Sequence, residues 1–237
     1  MKQSFELWSG GPVFTQAEHV RLSTDSVLLA NFANIPSLRK GIDLGCASGA
    51  IGLILLANHE KLHMTGIEIV PEAVETARKN MEENGYSERS CIVEGDLRNV
   101  KQLFTPGSFD LVTANPPYFS EGSGMTSPIS GRDAARGELK CTLEDVCRAA
   151  ALLCRTGGAF CVVHRPERLA ELIRCVSACG FEPKRLRLVC EQADRAPNLV
   201  LLESRRGGRP GLKIEPLLVL KERDGSESEE YRRIYRR

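Results

Sequence analysis

The sequence is short of aromatic residues and lacks long apolar runs. Aromatic residues make up 5% of its 237 residues, with a single tryptophan. No apolar run approaches the ~18 residues that a membrane-spanning helix needs, and residues 1–12 lack the apolar segment of a signal peptide. These absences argue against a membrane-spanning or secreted protein, and we expect a cytoplasmic one.

Metal-binding patterns are missing as well. The chain has nine cysteines, but none of them forms a Cys-x-x-Cys pair or stands near a histidine at metal-ligand spacing. Most lie within apolar runs, which is typical of reduced thiols buried as small hydrophobic side chains. The four histidines form no constellation either. We therefore expect no metal site.

The composition indicates one α/β domain. With 42% hydrophobic and 27% charged residues, the chain resembles an ordinary globular protein and is long enough for one sizeable core. We divide it into an N-terminal extension (1–40), a Rossmann-like core (41–204) and a basic C-terminal segment (205–237). That segment has ten Lys or Arg against six Asp or Glu, which predicts either a solvated surface or contact with an anionic polymer through Arg205 and Arg206.

The stretch Asn115-Pro116-Pro117-Tyr118 is the candidate reaction centre. It follows the apolar run 109–113, so it stands where a buried strand ends and a loop begins, as ligand sites of open α/β sheets do. The prolines hold two backbone carbonyls in a nearly rigid geometry. The amide oxygen of Asn115 and the carbonyl of Pro116 could together accept both hydrogens of one exocyclic NH2 group, and Tyr118 offers a ring for stacking. A simple turn is the alternative interpretation.

A glycine-rich turn joins a short apolar strand to an apolar helix over residues 41–57. Gly45, Gly49 and Gly52 would permit a tight turn, close approach of a ligand to the backbone, and close packing of helix on strand. Dinucleotides and nucleoside cofactors both use such turns. Asp43, at the end of the strand, would repel a pyrophosphate but suits a ligand that carries a positive charge.

Two more acidic residues stand at the ends of the next two predicted strands. Glu68 follows Asp43 by 25 residues, a spacing at which a carboxylate accepts hydrogen bonds from ribose hydroxyls. Asp96 follows the strand 91–94 and could bind the amino group of an adenine. The candidate cofactor contacts are Thr24, Asp43, Gly45, Cys46, Ser48, Gly49, Gly52, Glu68, Ile69, Asp96, Leu97 and Asn115.

The remaining pattern predicts the elements around these sites. Ser23-Thr24-Asp25 looks like the N-cap of a helix at about 25–34, which could bring Thr24 or Asp25 to the edge of a ligand pocket; a plain cap is the alternative for both. Residues 120–136 form a long loop with Arg132 and Arg136, which we interpret as a flap over the target; a disordered insertion is the alternative. Helices are predicted at 142–154, ended by Gly157-Gly158, and at 166–178; strands at 159–164, 181–190 and 198–204; and an extended piece at 212–220.

In these motifs the chain resembles class I S-adenosylmethionine-dependent methyltransferases. The turn from Asp43 to Gly52, then Glu68, Asp96 and the Asn115 motif, follow that family's order and spacing. The resemblance implies an α/β, Rossmann-like fold: a seven-stranded, mostly parallel sheet with an antiparallel C-terminal hairpin and helices on both faces. It also implies S-adenosylmethionine as the cofactor, bound at the positions just named.

A closer resemblance is to the bacterial methyltransferases that modify N6 of adenine 37 in tRNA1(Val). It extends over nearly the whole chain and includes Arg21-Leu22, the stretches 115–119 and 132–138, His164-Arg165-Pro166-Glu167-Arg168-Leu169, and the stretches 183–187 and 198–203. It implies methylation of tRNA, with Asn115, Pro116, Pro117 and Tyr118 as catalytic residues. RNA contacts are then expected from Arg132, Arg136, Arg205 and Arg206.

Several alternatives stay open. A protein-glutamine N5-methyltransferase ranks second, because such enzymes usually carry a helical domain before the cofactor turn and only about forty residues precede it here. Methylation of guanine N2 in ribosomal RNA ranks third. An inactive RNA-binding partner subunit is disfavoured by the intact Asn115 motif, and a nicotinamide-dependent dehydrogenase by Asp43. The sequence leaves the oligomeric state open.

Overall fold

A computed structural model describes residues 3–16, 21–116 and 141–237. A hairpin of β1 (Ser4–Glu6) and β2 (Val13–Thr15) precedes a nine-stranded sheet. The strands of the sheet are β3 (Lys40–Leu44), β4 (His63–Glu68), β5 (Ser90–Glu94), β6 (Phe109–Ala114), β7 (Cys154–His164), β8 (Phe181–Cys190), β9 (Leu199–Arg206), β10 (Lys213–Ile214) and β11 (Leu218–Val219). The helices are α1 (Thr24–Phe32), α2 (Ala50–Asn58), α3 (Pro71–Glu83), α4 (Val100–Leu103), α5 (Leu143–Leu153), α6 (Leu169–Ala178) and α7 (Glu229–Ile234).

The strand order is β10-β8-β9-β7-β6-β3-β4-β5, and β11 pairs with β8 beyond β10. β9 runs antiparallel to both of its neighbours, whereas the other pairings described in this sheet are parallel. The expected α/β, Rossmann-like arrangement is therefore confirmed over β3 to β9. The sheet is wider than the seven strands expected, because two-residue pieces of the segment 212–220 add β10 and β11 to the edge of β8.

Both faces of the sheet are covered. Leu111 and Val163 pack on one face with α1, α2 and α3. Their neighbours Val112 and Val162 pack on the other face with α5 and α6. This division follows from the two-residue period of a strand, which sends adjacent side chains to opposite faces. Among the described residues both faces are therefore closed to a ligand, and the ends of the strands are the place where one can approach.

The N-terminal hairpin packs on the face that α1, α2 and α3 cover. Phe14 is buried in the core there, with Phe5 edge-on at a ring-centroid distance of 6.0 Å. Trp8 is in the turn of the hairpin, and the guanidinium carbon of Arg236 lies 4.2 Å from its ring centroid. Residues from the beginning and the end of the sequence therefore meet at this hairpin.

One predicted boundary is wrong. The helix predicted at 142–154 is α5, which ends at Leu153, and β7 begins directly at Cys154, so Gly157-Gly158 do not end the helix. The glycines lie inside β7, at an irregularity in its pairing with β6. A Cβ on Gly158 would lie 2.6 Å from the sulfur of Cys154 and 2.9 Å from the carbonyl oxygen of Arg155. Glycine is needed there because the strand bulges.

Candidate active site

A cavity of about 190 Å³ opens at the carboxyl ends of β3 and β6. Its walls come from the glycine turn after β3, from the chain that leads into α1, and from the residue after β6. Of the predicted site residues it brings together Asp43, Gly45, Cys46, Ser48 and Asn115. No helix in the described ranges is long and apolar enough to cross a membrane, and those ranges contain no metal-ligand cluster.

The glycine turn is held in a fixed shape by β4. The backbone amides of Gly45 and Cys46 both donate to the carbonyl of Ile67, at 2.9 and 3.0 Å. Gly45, Ala47 and Gly49 have positive φ angles of 72°, 50° and 84°. Glycine enters this region freely, whereas alanine does so at a cost. The strained position of Ala47 is therefore maintained by the bonds around it.

Asp43 is buried in the wall of the cavity and has only one of its oxygens bonded. The hydroxyl of Thr113 on β6 donates to Oδ1 at 2.7 Å, whereas Oδ2 has no hydrogen-bond partner in the described part of the chain. Burial raises the pKa of Asp43 to about 7; the Thr113 bond opposes this rise and the charge of Glu68 adds to it. A buried, unpartnered carboxylate oxygen fits a cationic ligand such as the ammonium or sulfonium group of S-adenosylmethionine.

Glu68 supports the same turn. Its Oε2 accepts the amide of Ala47 at 2.9 Å, and its Oε1 accepts the amides of Ile69 and Val70 at 2.8 and 2.9 Å. These bonds use three of the roughly four acceptor positions of a carboxylate. Ile69 and Val70 are large apolar residues with 40% and 37% of their surface exposed. The ribose contact predicted for Glu68 has one acceptor position left, and it stays a prediction.

Asn115 is oriented by the start of α1. Its side-chain nitrogen donates to Ser26 Oγ at 3.0 Å and lies 3.4 Å from Ser23 Oγ. Ser23 is also the N-cap of α1, where its hydroxyl accepts the backbone amide of Ser26 at 3.2 Å. The amide nitrogen of Asn115 is therefore held toward α1 and its oxygen is turned away from these serines. That orientation suits an acceptor for a substrate amine.

Asp96 lies at the start of a short 3-10 turn and is bonded within it. Its carboxylate accepts hydrogen bonds from the backbone amide and from Nε of Arg98, both at 2.8 Å. The Arg98 side chain is the main cause of the lowered pKa of Asp96. The neighbouring Leu97 packs against the core on the α5 side of the sheet. An adenine contact at Asp96 would have to share the carboxylate with Arg98, and it stays a prediction.

Other predicted cofactor contacts have structural partners outside this cavity. Thr24 is the first residue of α1, and its side chain lies near Tyr235. Gly52 faces Met81 of α3, whose Cε would lie 3.4 Å from an added Cβ, so this glycine allows α2 to pack closely on α3. Gly49 is the N-cap of α2. Cofactor contacts by these residues remain predictions. Pro117, Tyr118, Arg132 and Arg136 lie outside the described residues.

Arg205 and Arg206 are the other predicted RNA contacts. They lie on the side of the sheet where the parallel strands begin, whereas the cavity lies where these strands end. Arg205 is paired with Ala159, five residues before the end of β7, which corresponds to about 16 Å along the strand. Its guanidinium is bonded to Glu203 at 2.9 Å. The guanidinium carbon of Arg206 lies 5.6 Å from the ring centroid of Phe181. Any RNA contact by these arginines is therefore remote from the cavity.

The N-terminal segment contributes more residues to the cavity than its sequence pattern indicates. Phe14, Arg21, Leu22, Ser23 and Ser26 all line it. The predicted N-cap Ser23-Thr24-Asp25 is confirmed at Ser23, but the local pattern does not indicate that the hydroxyls of Ser23 and Ser26 also face Asn115. Ala47, Ala50 and Ile51 complete the lining from the glycine turn and α2.

Comparisons with known proteins agree with this geometry. A family model described as the methyltransferase small domain matches residues 5–174. The chain is 29% identical over 215 residues to a tRNA1(Val) (adenine(37)-N6)-methyltransferase of Tolumonas auensis, which covers 90% of this chain and 86% of that protein. It is 33% identical over 195 residues to a protein of the same name from Porphyromonas gingivalis, covering 78% of this chain and 74% of the relative.

Solved structures show the same fold. A crystal structure described as a predicted O-methyltransferase from Agrobacterium tumefaciens aligns with a TM-score of 0.74 at 22% identity, over 90% of this chain and 96% of that one. The structure of SpnF, described as a [4+2]-cyclase, aligns with a TM-score of 0.58 at 16% identity, over 86% of this chain and 91% of that one. Because their descriptions differ, these likenesses establish a fold and not a reaction.

Proposed function

The chain belongs to the methyltransferase small-domain family and is an S-adenosylmethionine-dependent enzyme that methylates nitrogen, and on that premise we propose that its substrate is tRNA. The acceptor we propose is N6 of adenine 37 in the anticodon loop of tRNA1(Val). The names of the relatives in Tolumonas auensis and Porphyromonas gingivalis support this choice. The observation that carries the proposal is the Asn115 amide, held by Ser23 and Ser26 in the cavity that Asp43 also lines.

The cofactor is held through its positive charges and through the glycine turn. Asp43 binds a cationic group at Oδ2, and the positive φ angles of Gly45 and Ala47 shape the backbone that the ligand approaches. Glu68 accepts the Ala47 amide, so it maintains this backbone and contacts ribose with its remaining acceptor position. When bound, S-adenosylmethionine supplies an electrophilic methyl group on its sulfonium.

Asn115 and Pro116 position the target amine. The amide oxygen of Asn115 and the carbonyl of Pro116 accept its two hydrogens, which localises the nitrogen lone pair toward the methyl group. Ser23 and Ser26 act behind Asn115 by fixing the amide nitrogen. Rate enhancement then comes mainly from positioning, and the extra proton is lost after transfer. We propose Tyr118 as the stacking platform for the adenine, which leaves its anticodon-loop stack at a cost of a few kcal/mol.

The test is to incubate the purified protein with methyl-labelled S-adenosylmethionine and total tRNA from cells that lack the enzyme, followed by nucleoside analysis. We expect label in N6-methyladenosine. A matched pair of anticodon stem-loops, with adenine or with inosine at position 37, then locates the site, because inosine has no 6-amino group. Equal labelling of the two stem-loops would contradict adenine 37 as the target.

The same experiment separates the alternatives. A glutamine side-chain amide also presents a planar NH2 group, so Asn115 and Pro116 would accept it in the same way. Label that is absent from RNA but enters added release-factor proteins would favour a protein-glutamine methyltransferase. Label in N2-methylguanosine of added ribosomal RNA would favour a methyltransferase that acts on guanine N2 of that RNA. Binding of tRNA without any label would favour a non-catalytic partner subunit.

A further inference from the structure

Asn80 joins the two walls of the cofactor cavity with one buried side chain. It lies on α3 and is 0% exposed. Its side-chain nitrogen donates to the carbonyls of Thr15 and Ser48, both at 2.8 Å, and its Oδ1 accepts the amide of Thr15 at 2.8 Å. Both N–H donors of the amide are thus used. The bonds connect strand β2 of the N-terminal hairpin to the glycine turn.

Both connected segments line the cavity. Phe14, which precedes Thr15, and Ser48 are lining residues. Ser48 stands between Ala47 and Gly49, whose φ angles are 50° and 84°. The direction of its carbonyl is therefore part of an unusual backbone path that surrounding bonds must maintain. Asn80 supplies one of those bonds and, at the same time, fixes the wall on the other side.

Asn84 provides an internal control. It pairs with Val13 as Asn80 pairs with Thr15: its Oδ1 accepts the Val13 amide at 2.8 Å and its nitrogen donates to the Val13 carbonyl at 2.7 Å. Four residues of helix advance about 6 Å and two residues of strand about 6.6 Å, so the two asparagines bind alternate residues of β2. The second donor of Asn84, however, bonds the carbonyl of Asn80 in its own helix. Asn84 therefore holds the hairpin without touching the glycine turn.

We propose that Asn80 is a positioning residue for S-adenosylmethionine, which couples docking of the N-terminal hairpin to the shape of the glycine turn. The cofactor binds tightly when the hairpin is docked. Because such coupling is reciprocal, the bound cofactor also stabilises the docked hairpin. This inference depends on the cofactor and not on the identity of the RNA. Its decisive tests measure cofactor binding without RNA, and turnover with a methyl acceptor is only an additional readout, so its failure would leave the tRNA proposal untouched.

The first experiment compares Asn80→Ala with Asn84→Ala by calorimetric titration with S-adenosylhomocysteine. We expect Asn80→Ala to weaken binding about tenfold, equivalent to about 1.4 kcal/mol, and Asn84→Ala by less than about twofold, although both variants melt earlier than the wild type. In turnover assays, the KM for S-adenosylmethionine should rise in Asn80→Ala while kcat stays within about twofold. Equal weakening in the two variants, or unchanged affinity in Asn80→Ala, would overturn the proposal.

A second measurement uses the wild-type protein and is informative even if Asn80→Ala does not fold. Hydrogen exchange is followed at the Thr15 amide, which donates to Asn80, with and without saturating S-adenosylhomocysteine. The Gly107 amide, which donates to the Leu152 carbonyl at the opposite edge of the sheet, is the reference. We expect exchange at Thr15 to slow more than exchange at Gly107. Equal slowing, or none at Thr15, would show that the hairpin is not coupled to the cofactor site.

Discussion

Two aspartates on neighbouring strands show how differently the two ends of the parallel strands are built. We call the side of the sheet where these strands end the carboxyl edge, and the side where they begin the amino edge. Asp43, at the carboxyl end of β3, has one bonded oxygen, one unpartnered oxygen among the described residues, and a pKa raised to about 7 by burial. Asp110, at the amino end of β6, accepts the amides of Arg39 and Lys40 at 3.1 and 2.9 Å and Nε of Arg155 at 2.6 Å. Partial burial acts to raise the pKa of Asp110, but the Arg155 bond and the two amides outweigh it and the pKa is lowered.

The amino edge of the sheet serves the fold, and the carboxyl edge serves the ligand. At the amino edge, the carboxylate of Asp110 is satisfied by the protein itself, so its charge stabilises the folded state. At the carboxyl edge, the folded state carries an ionised Asp43 only at a cost, which a cationic ligand offsets. Substitutions at the two edges should therefore have opposite signatures: loss of function without loss of stability at one, and the reverse at the other.

The largest expected effect is on catalysis at the carboxyl edge. Asn115→Ala removes an acceptor that orients the amine, and we expect kcat to fall by about a hundredfold or more, the usual cost of losing a positioning group. Affinity for S-adenosylhomocysteine, measured by calorimetry, should change by less than about twofold. A large loss of cofactor affinity would instead assign Asn115 to cofactor binding.

Asp43→Asn should separate cofactor binding from stability. It keeps the shape of the side chain but removes the charge, and we expect cofactor affinity at pH 8 to fall by about 2 kcal/mol, the typical value of a hydrogen bond to a charged group. The unliganded variant should melt no earlier than the wild type at this pH, because a buried ionised carboxylate has been removed. Earlier melting together with unchanged affinity would reverse the roles given to the two edges.

The pKa of about 7 at Asp43 predicts pH-dependent cofactor binding. Below this pH the carboxyl group is protonated in the unliganded protein, and a proton must leave before a cation binds at Oδ2. Affinity should therefore rise with pH up to about 7, by at most about tenfold per pH unit, and level off above it. Calorimetry between pH 5.5 and 8 would show the slope, and Asp43→Asn, as the control, should show none. A slope that persists in Asp43→Asn would assign the titration to another group.

Asp110→Ala should have the opposite signature. Its lowered pKa means that its contribution to stability is present above the pKa of the unfolded chain, about 3.9, and is lost as the pH falls through the folded value. At pH 7 we expect a loss of about 1–2 kcal/mol and melting a few degrees earlier, with cofactor affinity unchanged. If cofactor affinity also fell about tenfold, the two edges would not be independent.

The smallest effect is expected for the arginines at the amino edge. If Arg205 contacts a phosphate of the RNA, Arg205→Ala should weaken tRNA binding by less than about threefold and reduce the salt-dependence slope by about one, without changing kcat. Filter binding over a range of salt concentrations measures the slope. An unchanged slope would remove Arg205 from the RNA interface.

The sequence predicted the elements whose pattern is local. β8 has the predicted bounds, Phe181–Cys190, because its apolar alternation and flanking turn residues are read within ten residues. β10 and β11 could not be predicted, because two-residue strands have no period and exist only where β8 offers an unpaired edge. The irregularity at Gly158 also depends on its neighbour β6.

The candidate site divides in the same way. Asp43 and Asn115 could be found because each stands at the end of a recognisable strand, and parallel strands bring their carboxyl ends to one edge. Ser26 and Asn80 could not be found in this way. Ser26 bonds Asn115, 89 positions away, and Asn80 bonds Thr15, 65 positions away, and a local sequence pattern contains no information on such distant contacts.

The N-terminal hairpin has a consequence for the order of folding. Its strands are three residues each, too short to persist alone, and it is held by Asn80, Asn84 and Arg236, all distant in sequence. Closing such long loops is slow compared with forming local helices and turns. The sheet can therefore assemble before the cofactor cavity has its second wall. During synthesis on a ribosome, the hairpin should therefore join the cavity only after Asn80 has emerged.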